Sequence, residues 1–181
     1  MARPDVIAAA AREFAQRGYH ATSIEDLLAA TGLTRGGLYH YIDGKHDLLV
    51  AVQQELLAPL LERARAAADA HDAPEAKLRA VVREWVSHVE THRDHMVVFA
   101  AERRLVESDP RWAQIRRQRE DFEALLAELL PGDPLARLAL LGMVNHMPSW
   151  YDPDGRLSAT EIADAFCDVL LTGIRSAPAR A

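Results

Sequence analysis

Side chains that could bind nucleic acid are concentrated between residues 22 and 45, where hydroxyl, basic and aromatic residues alternate with glycines. Arg35 and Lys45 are cations that can hold a phosphate, and Tyr39, His40 and Tyr41 add hydrogen-bond donors and aromatic surface. Together on an exposed helix, such groups suit contact with the phosphates and base edges of DNA. The two tyrosines are also compatible with half-buried packing positions whose hydroxyls reach water.

The same stretch predicts two short helices joined by a tight turn. Thr22 and Ser23 can each cap the first helix, and Glu25 and Asp26 follow three residues later, so either register makes a capping box. Gly32 ends this helix, because glycine takes the left-handed conformation at little cost. Two helices joined by a short glycine-containing turn form the helix-turn-helix that reads DNA.

The second helix of this pair is predicted from Thr34, its N-cap, to Ile42. Gly36 and Gly37 each cost about 1 kcal/mol relative to alanine in a helix interior. Close approach to a DNA backbone would explain two glycines in so short a helix, while Leu38 points into the core. The predicted DNA-contacting residues are Thr22, Ser23, Thr34, Arg35, Gly36, Gly37, Tyr39, His40, Tyr41 and Lys45.

Charge and composition limit the possible partners and locations. The 181 residues carry 21 basic and 27 acidic side chains, and residues 1–48 carry five basic against six acidic ones. A DNA-binding protein of this balance must gather its basic side chains on one face. The single Cys167 fits a reducing cytosol, the charged N-terminus is unlike a signal peptide, and no apolar run is long enough to span a membrane. We expect a cytoplasmic protein without a membrane partner.

The hydrophobic pattern predicts an all-α fold of about nine helices, because apolar residues recur at helical spacing and no useful strand alternation is present. We assign residues 1–48 to a helix-turn-helix DNA-binding domain and residues 49–181 to a ligand-binding and dimerisation domain. Pro59 should kink the fourth helix, either as a hinge or as an inert bend.

The middle helices hold the candidate effector site. His88, His92 and His95 have a spacing that can bind a metal, but a helix break beside Asp94 disfavours this, and we predict neither metal nor cofactor. Methionine, aromatic, histidine and arginine side chains could instead line an adaptable pocket, although ordinary core and a solvated arginine face remain alternatives. The predicted effector-binding residues are His88, His92, Met96, Phe99, Arg103, Arg116, Phe122, Met143, His146, Met147, Trp150 and Tyr151.

The last two helices are too apolar for one side to face water. Two such helices from each of two protomers would form a four-helix bundle, so we predict a homodimer, whose two-fold axis suits a palindromic operator. The predicted interface residues are Leu138, Leu141, Val144, Phe166, Val169, Leu170, Gly173 and Ile174.

Two stretches resemble a known family. TSIEDLLAATGLTRGGLYHYIDGKHDLL, with IAAAAREFAQRGYHATS before it, is similar to the DNA-binding signature of TetR-type repressors from about Val6 to Val52. NHMPSWYDPDGRLSATEIADAF, from Asn145 to Phe166, resembles a C-terminal pattern of TetR-type repressors of fatty-acid and steroid catabolism, a subgroup that responds to acyl-CoA thioesters. The resemblance implies a repressor that binds its operator as a homodimer and is released by a small hydrophobic effector. An acyl-CoA is the leading candidate, and an aromatic or lipid-like molecule is the alternative.

Two other classes of function remain as alternatives. The sequence contains no nucleophile motif, phosphate-binding loop or close pair of carboxylates on one short element, so we do not expect an enzyme. Cys167 lies within an apolar helical run, the place for a packed thiol. A non-catalytic helical adaptor with a vestigial helix-turn-helix is the second alternative.

Overall fold

The structure, a computed structural model, describes residues 3–102, 110–132 and 134–172. Within these ranges the chain forms nine α-helices and no strand, which confirms the all-α fold. The helices are α1 Arg3–Arg17, α2 Ile24–Thr31, α3 Arg35–Tyr39, α4 Lys45–Asp69, α5 Pro74–Thr91, α6 Arg93–Ala101, α7 Ala113–Leu129, α8 Pro134–His146 and α9 Ala159–Thr172. Short 3-10 turns cover Pro110–Trp112 and Met147–Ser149. Over the same ranges, no helix has the length and apolarity that crossing a membrane requires.

The chain divides into two compact units. The first comprises Met1–Pro59 and His92–Asp121, and the second comprises Leu60–Thr91 and Phe122–Ala181. The division in α4 falls directly after Pro59, inside a helix that continues to Asp69. The predicted hinge at this proline, and the functional division at residue 48, stay predictions.

One apolar core holds the first unit together and anchors the helix-turn-helix. Its α1 members recur every three or four residues, so that they form a single stripe facing inward. Leu27 of α2 and Leu38 of α3 are fully buried in the same core. Further buried members come from α4, from α6, and from α7 with the 3-10 turn before it, namely Leu48, Leu49, Val52, Val98, Trp112 and Ile115.

The second unit is built around the packing of α5 on α9. Val82 and Trp85 of α5 and Ala163 and Cys167 of α9 are buried, and the ring of Trp85 meets Phe122 of α7 edge-on, with 4.8 Å between centroids.

Arginines of α5 reinforce this packing at its edge. Arg83 donates to both carboxylate oxygens of Asp164, at 2.8 and 2.9 Å, and Arg79 donates to Asp168 at 2.7 Å. Because the bonds from Arg83 favour the charged form of Asp164, they lower the pKa of this carboxyl below its ordinary value. The contacts fix which side of α9 faces α5.

Two helix ends differ from the sequence prediction. The helix α3 stops at Tyr39 rather than Ile42, and a backbone bond runs from the His40 amide to the Gly36 carbonyl at 3.1 Å. The apolar helix α8 stops at His146 rather than Trp150, because Pro148 lacks the amide that would extend it, and a 3-10 turn follows.

Candidate nucleic-acid interface

Side-chain caps fix where α2 begins. The Oγ atom of Ser23 accepts the Asp26 amide at 3.1 Å, and the Asp26 carboxylate accepts the Ser23 amide at 2.8 Å. The predicted capping box is therefore confirmed in the Ser23 register. The Ser23 side-chain bond, followed by the backbone bond, lowers the pKa of Asp26.

The turn between α2 and α3 follows the predicted chemistry. Gly32 has a φ of 68°, and its amide donates to the Leu28 carbonyl at 2.9 Å, closing α2. The hydroxyl of Thr34 then accepts the Gly37 amide at 3.1 Å and caps α3. The Gly32 and Thr34 caps therefore fix where α2 ends and where α3 begins.

The outward face of α3 combines an open backbone with an exposed aromatic ring. Leu38 is fully buried and anchors the helix, whereas Tyr39 is 43% exposed and Arg35 and His40 are exposed too. A Cβ atom added at Gly36 would meet nothing within 4 Å, so the protein's own packing does not require glycine there. A close external surface would require it.

At Gly37, the packing of the protein itself explains why a glycine is needed. A Cβ atom on Gly37 would lie 3.2 Å from the Oγ1 atom of Thr34, the atom that caps α3. Gly37 therefore serves the cap, and only Gly36 is left as the glycine that faces outward.

Arginines near this face already have carboxylate partners. Arg35 pairs with Glu25, and Arg17 pairs with Glu13 at 3.0 Å and Asp26 at 3.2 Å. Exposed ion pairs contribute only about 0–1 kcal/mol. Exchange of such a carboxylate for a DNA phosphate is therefore inexpensive.

Lys45 does not match the predicted role of a phosphate clamp. Its Nζ atom donates to the carbonyls of Tyr19 and Thr22 at 2.8 Å each and of His20 at 3.4 Å. It also lies 4.5 Å from the centroid of the Tyr19 ring. Since an ammonium has three donors, all of them are used to hold the first turn of α4 against the α1–α2 turn.

Burial corrects the predicted DNA contact of Thr22, while that of Tyr41 stays a prediction. Thr22 is only 1% exposed, and its hydroxyl donates to the Gly18 carbonyl at 2.9 Å, so it serves the fold. Tyr41 is half-buried against the core of the first unit, which is the packing role left open by the sequence. Ser23 and Thr34 are exposed, although their hydroxyls act as helix caps.

In the first unit, the predicted effector residues lie on α6 and α7 or beside them. Met96 is buried, while Phe99 packs partly buried against the core with the Arg119 guanidinium 5.7 Å from its ring centroid. His92 and Arg116 are half-buried. Arg103 lies outside the described residues.

In the second unit, four of the seven predicted effector residues are buried and three are not. The buried four are His88, Phe122, Met147 and Tyr151. Met143 is half-buried. His146 is exposed and Trp150 is 50% exposed with its ring against Phe166, so neither lines the interior of this unit.

Two of the buried polar groups of the second unit have partners on α4 or α5. Arg63 can only donate, so the Nδ1 atom of His88 accepts and its proton is on Nε2. The Tyr151 hydroxyl donates to Glu90, and this bond, followed by burial, raises the pKa of Tyr151 to about 12. Both residues therefore have structural bonds that an effector would have to share or replace.

The three histidines with metal-like spacing lie on both sides of a helix break. His88 belongs to α5, which ends at Thr91, whereas His92 and His95 belong to the start of α6. Burial first, and then the neighbouring His92, lowers the pKa of His95 to about 4, so its imidazole is neutral at pH 7. In the ranges that the structure describes, no group of three side chains suited to a metal ion is found.

The predicted interface residues differ in exposure. Leu138 is 64% and Val169 44% exposed, and Leu141, Phe166 and Leu170 are half-buried. Val144 is corrected, because it is fully buried within its own protomer and has no surface left for a partner.

Other apolar residues of the same two helices are exposed as well. Leu135 is 72% and Leu171 41% exposed, while the predicted Gly173 and Ile174 lie outside the described residues. In an almost wholly apolar helix, the pattern alone does not distinguish the inward from the outward side. Only the packing in the structure shows that Leu135 is exposed while Val144 is buried.

The fold and its outward recognition helix define an all-α helix-turn-helix protein, and comparisons with known families identify which one. Residues 6–52 match the family "Bacterial regulatory proteins, tetR family". Residues 71–174 match the family "Tetracyclin repressor-like, C-terminal domain", and this match spans more than half of the chain. The chain therefore belongs to the TetR family and is a DNA-binding transcriptional repressor.

Individual relatives agree with this assignment over nearly the whole chain. The HTH-type transcriptional repressor KstR2 of Mycobacterium tuberculosis (strain ATCC 25618 / H37Rv) is 24% identical over 184 residues, covering 95% of this chain and 92% of the relative. A solved structure of the ketosteroid transcriptional regulator KstR2 of Mycobacterium tuberculosis shares the fold with a TM-score of 0.87 at 23% identity, covering 95% of this chain and 94% of that one.

A further solved structure is of AibR in complex with isovaleryl coenzyme A and operator DNA. It superposes with a TM-score of 0.79 at 27% identity, and covers 92% of this chain and 96% of that one.

Proposed function

We propose that this repressor binds a palindromic operator as a homodimer, and that a small effector, with an acyl-CoA thioester as the first candidate, releases it from DNA. The observation that best supports operator binding is the outward face of α3. Gly36 borders open space, and Tyr39 and His40 are exposed beside it, while Leu38 anchors the helix in the core.

The chemistry of this face fits the major groove. A glycine lets the helix backbone approach a phosphate strand, and an exposed tyrosine and histidine offer donors, an acceptor and aromatic surface to base edges. Arg35 sits at the start of α3 in an exposed pair with Glu25, so its guanidinium can transfer to a phosphate at little cost.

The apolar surface of α8 and α9 supports a homodimer. Leu135, Leu138 and Val169 are 72%, 64% and 44% exposed, although large apolar side chains gain about 1.5–3 kcal/mol each on full burial. A second copy of the chain would cover these residues through a symmetric interface. Two recognition helices would then face two half-sites of a palindrome.

The proposed release by an effector is supported by a relative and by the types of the predicted effector-binding residues. AibR, which binds isovaleryl coenzyme A and operator DNA, is similar over nearly the whole chain. In the second unit, the buried Met147 offers adaptable apolar surface for an acyl chain. An aromatic or lipid-like molecule is the alternative. In either case effector must bind the DNA-free form more tightly, and operator must weaken effector binding by the same factor.

Fluorescence anisotropy with duplexes from the chain's own upstream region tests the DNA part. Tyr39→Ala and His40→Ala should each weaken binding about tenfold or more, since each removes base-edge contacts of about 1–3 kcal/mol. Val97→Ala is the matched control, because Val97 is a 37% exposed side chain of α6 outside the helix-turn-helix. Wild-type affinity in both α3 variants, with normal helical circular dichroism, would refute the assignment of α3 as the reading helix.

A panel of candidate effectors tests the proposed release from DNA. Isovaleryl-CoA and longer acyl-CoAs are added to the protein–duplex complex, alongside aromatic and lipid-like compounds that lack CoA. Release of the protein from the duplex by a thioester supports the acyl-CoA hypothesis. Release by a CoA-free compound alone would replace it with the alternative effector class and leave the repressor function standing.

A further inference from the structure

The first turn of α2 carries two carboxylates that each hold an arginine of a neighbouring helix. Asp26 contacts Arg17 of α1 at 3.2 Å, and Glu25 contacts Arg35, the first residue of α3. The contact between Glu25 and Arg35 therefore joins the two helices of the helix-turn-helix. All four side chains lie within the residues that match the DNA-binding family.

The two carboxylates differ in what else they contact. Asp26 accepts the amide and the hydroxyl of Ser23, at 2.8 and 2.6 Å, so the capping box of α2 depends on it. Glu25 contacts no polar group other than Arg35 in the part of the chain that the structure describes. Because Asp26 fixes the start of α2, the contact with Arg35 is left as the role of the Glu25 carboxylate.

This ion pair is open to competing anions from solvent. The side chains of Arg35 and Glu25 are 59% and 67% exposed. Ion pairs in such positions are weak, and a guanidinium binds a carboxylate and a phosphate through the same N–H donors. A DNA phosphate that reaches the start of α3 must therefore compete with Glu25 for Arg35.

The basic side chains of the DNA-binding region are mostly occupied in the DNA-free protein. Residues 1–48 contain five basic residues, and six acidic residues offset them. Three of the five, namely Arg17, Arg35 and Lys45, already contact carboxylates or backbone carbonyls. Non-specific DNA binding comes almost wholly from cations that meet phosphates. The DNA-free protein therefore offers little charge that would attract DNA of arbitrary sequence.

We propose that Glu25 competes with DNA phosphate for Arg35 and thereby limits both the affinity and the salt dependence of DNA binding. This inference rests on the proposed function, because it requires that α3 meets DNA. On binding, Arg35 exchanges one anion for another, so it displaces fewer cations from DNA than an unpaired arginine does. Glu25 is a positioning residue, since it acts through Arg35 and needs no contact of its own with DNA.

The competition matters most for DNA that is not the operator. Binding to arbitrary DNA has phosphate contacts as almost its only source of free energy, whereas operator binding also uses contacts to base edges. An equal loss of phosphate contact on every sequence therefore removes a larger share of non-specific binding. The Glu25–Arg35 pair lets the repressor leave non-operator DNA more readily.

Fluorescence anisotropy between ~50 and ~200 mM salt measures the competition, with the operator duplex and a duplex of unrelated sequence as probes. In Glu25→Gln, the plot of log Kobs against log salt should steepen by about 0.5–0.9 per half-site, because Arg35 then acts as a full phosphate contact. For a dimer this adds about fourfold to twelvefold in affinity at the low-salt end. Both duplexes should show the change, since their phosphates are alike.

Glu62→Gln is the matched control for net charge. It removes the same charge from an exposed carboxylate of α4 that lies outside the helix-turn-helix and has no ion pair among the described residues. Its salt slope should equal that of wild type. An equal steepening in Glu62→Gln would attribute the effect to the net charge of the protein and overturn the proposal.

A double-mutant cycle with Arg35→Met shows whether Glu25 acts through Arg35. Without the guanidinium, Glu25 has no cation to hold, so adding Glu25→Gln should leave the slope of Arg35→Met unchanged. The same steepening in both backgrounds would mean that Glu25 merely repels DNA, and would also overturn the proposal.

The binding of wild type separates this inference from the proposed function. If wild type binds the operator with a slope that Glu25→Gln does not change, the competition is wrong and operator binding stands. If wild type binds no duplex at any salt concentration, both claims fall. Thermal unfolding checks the fold of each variant, and Glu25→Ala, which keeps a good helix former, replaces Glu25→Gln if that variant melts early.

Discussion

At the scale of single residues, adjacent glycines of α3 lead to opposite expectations. Gly36→Ala should raise the free energy of unfolding by up to about 1 kcal/mol, because alanine is the better helix former and its Cβ has open space. The same change should weaken operator binding at least about tenfold, since the methyl group would meet the DNA backbone.

Gly37→Ala is the matched comparison. Its Cβ would lie 3.2 Å from the Thr34 cap, so it should lower the free energy of unfolding instead. Urea denaturation and fluorescence anisotropy measure the two quantities. Operator binding by Gly36→Ala with wild-type affinity would contradict the close approach of α3 to DNA.

His95 gives the chain a pH-dependent stability with a defined sign. Burial, and secondarily the charge of His92, lowers its pKa from 6.5 to about 4 in the folded protein, while Asp94 acts in the opposite direction. Below pH 6.5 the unfolded chain therefore takes up a proton that the folded protein does not. Folding should lose up to ~3 kcal/mol from this residue between pH 6.5 and pH 4.

Urea denaturation of wild type and His95→Phe at pH 7 and pH 4.5 isolates this contribution. Burial also raises the pKa of Glu55, whose carboxylate lies 3.9 Å from His95, but Glu55 is common to both proteins and largely cancels in the difference. The stability difference between the two proteins should change by at least about 1 kcal/mol between the two pH values. An unchanged difference would show that His95 titrates normally in the folded state.

At the scale of elements, Lys45 joins the start of α4 to the turn between α1 and α2. Lys45→Met keeps the aliphatic stem and removes the donors, which leaves the carbonyls of Tyr19 and Thr22 without this partner. The free energy of unfolding should fall by about 1–3 kcal/mol, as expected for lost bonds to a charged group. Urea denaturation provides this measurement.

Arg35→Met is the control for this prediction, because Arg35 loses only an exposed ion pair with Glu25. Its stability should change by less than about 1 kcal/mol, while its operator affinity falls. If Lys45→Met is as stable as wild type and loses operator affinity, the phosphate clamp expected from the sequence is the correct role after all.

The ends of a helix could be predicted from the sequence where capping residues or glycines mark them. Ser23 and Gly32 set the ends of α2 because caps and left-handed glycines act locally. The role of Lys45 could not be predicted, since it depends on backbone carbonyls that the tertiary fold brings near. The burial of Gln53 could not be predicted either, because a single glutamine within a helix usually faces water.

At the scale of the whole molecule, the apolar surface of α8 and α9 should control assembly. Leu138→Asp and Val169→Asp place a charge where a dimer would bury it without a partner, which dimers do not tolerate. Sedimentation at micromolar concentration should show monomers for both variants and a dimer for wild type. Leu157→Asp is the matched control, because Leu157 is 53% exposed but lies in the loop before α9. A monomeric wild type would refute the homodimer.

The central claim is that two copies of α3 read the two halves of one operator, and a selection of duplexes from a random pool tests it most directly. The recovered sequences should contain an inverted repeat. By anisotropy, wild type should bind the complete repeat at least about a hundredfold more tightly than a single half-site, because the second contact is intramolecular. Tyr39→Ala, which removes a 43% exposed ring, should reduce both affinities. A pool that yields no repeat, or equal affinities for half-site and full site, would contradict the account.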